Sequence, residues 1–140
     1  MDLDDLFGPK PIVVDLEAQD QWEAIDELIT HLVATRKIRA EDRDAIAASV
    51  KKRESSMSTG IGFGIGMPHA STDLICEAVG VVGRSRKGLQ FDALDGQPVN
   101  LVILFLVPHG EFLKHVHTLA KIAKMLHRDD FRDGLRRRFL

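Results

Sequence analysis

Apolar residues recur along this chain at two different periods, and the switches between them divide it into elements. Pro11-Ile12-Val13-Val14-Asp15-Leu16 reads as a first short strand. Asp20 followed by Glu23 then resembles a capping box, with Asp in place of the usual Ser or Thr. The helix it opens carries Trp22, Ile25, Ile29, Leu32 and Val33 on one stripe. A second helix is expected from about Glu41 to about Ser56, with Ile46, Val50 and Met57 at helical spacing. Next come four glycines alternating with apolar residues, Gly60-Ile61-Gly62-Phe63-Gly64-Ile65-Gly66, ahead of Met67-Pro68-His69. As one strand, this run puts the glycines on one face and Ile61, Phe63 and Ile65 on the other. Ala78 to Val82 and Leu89 to Phe91 read as further strands, and Asp95-Gly96 as a turn. Val99 to Val107 is apolar on both alternating faces, as a central strand covered on two sides would be. Helical spacing returns from Glu111 to His127 through Phe112, Val116, Leu119, Ala123 and Leu126. A last helix holds Phe131, Leu135 and Phe139. Strands enclosed by helices predict an α/β (α+β) sandwich, a mixed β-sheet flanked by helices.

Composition narrows this picture. The chain has 140 residues, 44% hydrophobic and 29% charged, which suits a single domain over 1–140 with a real core. A formal charge of −2 offers no general attraction to nucleic acid. No apolar run reaches the ~18 residues of a membrane span, so no direct membrane insertion is expected. The acidic start Met1-Asp2-Leu3-Asp4-Asp5 lacks the parts of a signal peptide. With Cys76 as the single cysteine, no internal disulfide can form, and a cytoplasmic location is expected.

Candidate chemistry concentrates on histidine and arginine. Pro68 stiffens the exit from the glycine run and restricts Met67 to extended geometry. His69 therefore emerges at a defined place, as a nucleophile or base must, although a histidine here can also simply cap a turn. His115 and His117 form a His-Val-His triplet, but residues two apart on a helix point about 200° away from each other and cannot share one ion. A zinc site from His109, His115 and His117 would need the helix to begin late, so no metal is expected. His117 shares its face with Lys114, Lys121 and Lys124, whereas His115 shares its face with Leu119, Ile122 and Leu126 at the edge of the buried stripe. Arg53 falls at i+7 from Ile46 and i+3 from Val50, along the apolar side of its helix. It is either a snorkelling or structurally paired arginine or a phosphate ligand. The glycine run lacks the Lys-Ser/Thr ending of a phosphate-binding loop and has Met67 where a third glycine would fall, which excludes nucleotide binding.

Three separated motifs resemble the enzyme IIA domains of the sugar phosphotransferase system, in the fructose–mannitol class that includes nitrogen-regulatory proteins. The first is Arg53-Glu54 with Ser58-Thr59-Gly60-Ile61-Gly62 and Gly64-Ile65-Gly66-Met67-Pro68-His69. The second is Phe91-Asp92-Ala93-Leu94-Asp95-Gly96-Gln97-Pro98-Val99 leading to Pro108, and the third His115-Val116-His117-Thr118-Leu119. The resemblance implies that His69 carries a phosphoryl group, with His115 as second active-site histidine and Arg53 as phosphate ligand. It implies a phosphotransferase component without cofactor. A histidine phosphocarrier would be the donor, and an enzyme IIB partner or a regulatory target the recipient. The chain departs from the family pattern at Phe63, where a polar residue is usual, and at Gly66, where alanine is usual.

Overall fold

The computed structural model describes residues 13–56, 60–62, 64–91 and 96–111. The two helices expected from residue 111 onward, with His115 and His117, lie outside the described residues, as do Met57 and Phe63. Strand β1 is Val13–Asp15, helix α1 is Gln21–Ala34, and a 3-10 turn at Ala40–Asp42 leads into helix α2, Arg43–Ser56. Strands β2 (Gly60–Gly62), β3 (Ile65–Gly66), β4 (His69–Thr72), β5 (Val79–Leu89) and β6 (Val99–Pro108) follow. One mixed sheet runs β1-β5-β6-β3-β2, with β4 also paired to β6. β1 is parallel to β5, β5 antiparallel to β6, and β3 and β4 both parallel to β6.

The expectation for the central strand holds. Val99 and all residues from Leu101 to Pro108 are buried, on both faces of β6. Val102, Leu104 and Leu106 join one core cluster with Ala24, Ile25, Leu28, Ile29 and Leu32 of α1 and Ile46, Ala47 and Val50 of α2. Leu101, Ile103, Phe105 and Val107 are buried on the other face. Both described helices thus lie on one side of the sheet. Asp26 ties them together, accepting from Lys51 Nζ at 2.8 Å and from Arg43 Nη2 at 3.4 Å. Such half-exposed pairs each contribute at most about 1 kcal/mol, so apolar burial dominates the packing. No helix among the described residues is long and apolar enough to cross a membrane.

Four details depart from the sequence reading. Trp22 does not belong to the buried stripe of α1 and is 37% exposed; Gln21 is buried instead. The N-terminal cap forms as expected, with the Glu23 N–H donating to Asp20 Oδ1, but the Glu23 carboxylate accepts from Gln19 rather than from Asp20. The strand readings at 78–82 and 89–91 merge into the single strand β5, whose pairing with β6 shifts register between Arg84 and Leu89. The glycine run is a hairpin rather than one strand. Gly60 pairs with Gly66 and Gly62 with Ile65, and Gly64 makes the turn at φ +79°. That backbone is open to glycine and excluded from a regular strand.

α1 ends in a Schellman motif: the Arg36 N–H donates to the Val33 carbonyl and the Lys37 N–H to the Leu32 carbonyl. The position that normally takes glycine holds Arg36, at φ +61°. Arg36→Gly removes the steric cost of this left-handed residue and is expected to raise stability by about 0.5–1 kcal/mol, read as a higher urea midpoint with unchanged slope.

Candidate active site

The site is built along one side of β6. After the hairpin, the chain runs parallel to β6 from Ile65 to Thr72, with Ile65 opposite Leu101 and His69 opposite Phe105. The Gly64 carbonyl accepts the N–H groups of Asn100 (2.9 Å) and Leu101 (3.0 Å), which pins the hairpin to the start of β6. Pro68 has no N–H and interrupts the strand, yet its carbonyl accepts from Phe105 N at 3.2 Å, so the pairing resumes in register. Ala70 belongs to the core beneath α1 and α2. By alternation His69 turns to the opposite face.

There the imidazole is held from two directions. Its ring stacks on the Phe105 ring with centroids 5.0 Å apart and planes within 11° of parallel. Its Nδ1 lies 2.9 Å from the Met67 carbonyl oxygen. A carbonyl can only accept, so Nδ1 carries the proton and Nε2 keeps the lone pair. Burial holds the His69 pKa below its ordinary value of 6.5, with the positive charge of Arg53 acting in the same direction. The Met67 hydrogen bond and the negative charge of Glu54 act against these. His69 is therefore neutral at neutral pH, with a nucleophilic Nε2.

Arg53 and Glu54 stand next to each other near the C-terminal end of α2, the helix that packs against β4. Arg53 is half-buried, as a residue at the edge of the apolar side would be, and the fully buried charge is its neighbour Glu54, at 3% exposure. Glu54 sits at i+4 from Val50 and i+8 from Ile46, a better fit to the apolar stripe than Arg53, so this position could have been read from spacing. Gln21 Nε2 of α1, itself buried, donates to Glu54 Oε1 at 3.4 Å. The roles of Met67 and Phe105 had no such signal, because a carbonyl and a cross-strand ring become partners of His69 only through the register. The structure thus brings His69 and Arg53 into one field; His115, the third expected residue, lies outside the described residues. His109 is exposed beyond the end of β6, and no metal-binding group of three or more His, Cys, Asp or Glu occurs among the described residues.

Gly66 also acquires a physical reason. A Cβ there would lie 2.8 Å from Cε2 and Cζ of Phe91, a ring that is itself buried. The bare glycine admits Phe91 directly onto β3, two residues before the kink at Pro68.

Comparison with known proteins shows the family of the chain and bears on its fold. The family model described as phosphoenolpyruvate-dependent sugar phosphotransferase system, EIIA 2, matches residues 5–138, and the chain belongs to that family. It is 33% identical over 135 residues to the fructose-specific EIIABC component of Bacillus subtilis (strain 168), covering 96% of this chain and 21% of that protein. It is 38% identical over 97 residues to a fructose-specific EIIA component of Haloferax volcanii, covering 69% of this chain and 63% of that one. A nitrogen regulatory protein of Pseudomonas aeruginosa is 34% identical over 134 residues, 96% of this chain and 86% of that protein. The chain thus spans about a fifth of the one fructose-specific relative and under two thirds of the other. Among solved structures, nitrogen regulatory protein IIA-Ntr from Neisseria meningitidis superposes with TM-score 0.77 at 29% identity, over 88% of this chain and 82% of that one. IIA mannitol from Escherichia coli shares the fold, with TM-score 0.67 at 20% identity over 84% and 82%.

Two predictions follow from the packing and charge around His69. Gly66→Ala is expected to destabilise the chain by about 1–2 kcal/mol, because overpacking against Phe91 outweighs the gain in backbone stiffness. In a Phe91→Leu background the same change should cost much less, as a double-mutant cycle in urea will read. The second prediction concerns pH. The folded pKa of His69 lies below its unfolded value, so the unfolded chain binds the proton first. Its contribution to stability is complete above about 6.5 and is lost as pH falls from there through the folded pKa. Urea unfolding at several values between about pH 7.5 and 5.5 should show stability falling more steeply in the unsubstituted chain than in His69→Gln.

Proposed function

We propose that the chain accepts a phosphoryl group on Nε2 of His69 from a histidine phosphocarrier protein and passes it to an enzyme IIB partner. The observation that carries this reading is the ring geometry: a neutral imidazole pinned by Met67 and Phe105, with its free lone pair on Nε2 and a guanidinium in its field. In the transfer the Nε2–P bond forms as the N–P bond of the donor breaks. The donor ring, protonated on its other nitrogen, leaves as a neutral imidazole. The His69 Nδ1 proton stays against the Met67 carbonyl, which steadies the positive ring that results. Phosphoryl transfer asks mainly for positioning and charge stabilisation. Arg53 supplies the charge, with a planar fork of donors for the phosphoryl oxygens. His115 is proposed as a second histidine contributing a hydrogen bond to the same group. No nucleotide or metal takes part. The mannitol IIA of Escherichia coli, a fold relative, has been solved in complex with phosphorylated enzyme IIB, the kind of partner proposed here.

A second reading has its own support. The nitrogen regulatory relatives match over most of their length, 86% and 87% for those of Pseudomonas aeruginosa and Bradyrhizobium diazoefficiens. In that reading the phosphorylation state of His69 governs binding to a regulatory target, without onward transfer. The two differ in whether phosphate leaves for an enzyme IIB protein.

Intact-mass measurement after incubation with phosphoenolpyruvate, enzyme I and a histidine phosphocarrier tests the shared step. One acid-labile phosphate is expected on the unsubstituted chain and none on a folded His69→Ala variant. Arg53→Ala should slow uptake by about 10²-fold. Full uptake by His69→Ala would refute the assignment.

A further inference from the structure

Burial alternates along β4: Ala70 and Thr72 are buried, while His69 and Ser71 are half-buried. The pairing with β6 is unbroken here, with His69 opposite Phe105 and Ser71 opposite Val107. His69 and Ser71 therefore leave the strand on the same face, two strand rises or ~6.6 Å apart. The two hydroxyls of β4 are used differently. Thr72 Oγ1 accepts from the Leu74 N–H at 3.2 Å, whereas Ser71 Oγ has no hydrogen-bond partner among the described residues. That hydroxyl is free to donate to a group arriving beside His69.

We propose that Ser71 is a phosphoryl-binding residue, its Oγ–H donating to an oxygen of the group carried on Nε2 of His69. This inference rests on the function proposed above. The direction of the imidazole carries it. Met67 lies two residues before His69 along the chain and Ser71 two residues after. The Met67 carbonyl, 2.9 Å from Nδ1, turns that edge of the ring back toward residue 67. Cδ2 and Nε2 form the opposite edge, which therefore leans toward residue 71. The stacked Phe105 ring fixes the plane in which this edge lies. An N–P bond made there, with a P–O bond beyond it, carries a phosphoryl oxygen across most of the gap to the Ser71 hydroxyl. Ser71 thus supplies a neutral donor from the same strand as the nucleophile. Such a donor needs no rearrangement as the bond to phosphorus forms, so it acts on the transition state as well as on the product. A hydrogen bond to a charged phosphoryl oxygen is also stronger than one between neutral groups.

Ser71→Ala tests this by removing the hydroxyl with the least change of shape. Phosphate uptake is followed over a range of phosphorylated histidine phosphocarrier concentrations, with urea unfolding as the control for the fold. Ser71→Ala should lower kcat about 10-fold while KM for the donor and the urea midpoint stay nearly unchanged. Ser71→Thr keeps the hydroxyl on a residue suited to a strand and should recover kcat to within about two-fold. A purely structural role would move the urea midpoint together with kcat, and a contact with the donor protein would raise KM instead. An unchanged kcat in Ser71→Ala, a loss carried by KM alone, or a loss that Ser71→Thr does not recover overturns the inference while leaving His69 as the site of phosphate. An unsubstituted chain that takes no phosphate from an active donor overturns the proposed function as well.

Discussion

The pairing of residues 65–72 with β6 is the constraint on which the rest of the site depends. Side chains alternate along a strand, so a slip of one residue in that parallel register would turn His69 into the apolar core and Ala70 out of it. Several features hold the register against such a slip. The Gly64 carbonyl is doubly bonded to the start of β6, the Pro68 carbonyl bridges the gap at the kink, and Phe105 stands opposite His69. The same strand that organises the core therefore also places the ring, and its burial on both faces makes it a rigid platform. In the proposed transfer, a ring on such a platform would lose little freedom on meeting a partner, which is where positioning contributes most.

The electrostatics follow from that placement. Seating the ring on Phe105 takes it partly out of water, and this burial is the largest influence on its proton affinity. Arg53 adds to the effect; Met67 and Glu54 temper it. A neutral ring with its proton fixed on Nδ1 follows from ordinary hydrogen-bond rules once the carbonyl lies 2.9 Å away. The neutral state of the ring is thus a consequence of strand register, burial and one backbone carbonyl, with Arg53 acting in the same direction as burial. It needs no unusual backbone at the histidine itself.

Much of this was legible in the residues, and the failures have physical causes. The apolar run at 99–107 identified the central strand because only a strand covered on both sides tolerates unbroken hydrophobicity. The Asp20 cap and the i, i+3, i+4 spacing located α1, yet the stripe was placed one residue off at its start, where Gln21 and not Trp22 turns inward. An amphipathic ring can lie along a surface, so its size alone is a poor guide to burial. Alternating glycines look like a strand by period, and only the backbone freedom at Gly64 distinguishes a hairpin from it. On α2 the i+4 and i+8 spacing from Val50 and Ile46 puts Glu54 rather than Arg53 on the buried stripe, although a charged residue is seldom read as core. Motifs pointed to His69 and Arg53 together, while the carbonyl and the aromatic ring that hold the histidine are set by tertiary pairing and had no local signal.

The most direct test of the account is which nitrogen of His69 receives phosphate. A long-range proton–nitrogen NMR spectrum of the ring, recorded before and after phosphorylation, reads both the tautomer and the site of attachment. The account predicts Nδ1–H in the free chain and phosphorus attached to Nε2 afterwards. Phosphate on Nδ1, or an Nε2–H tautomer in the free chain, would contradict it.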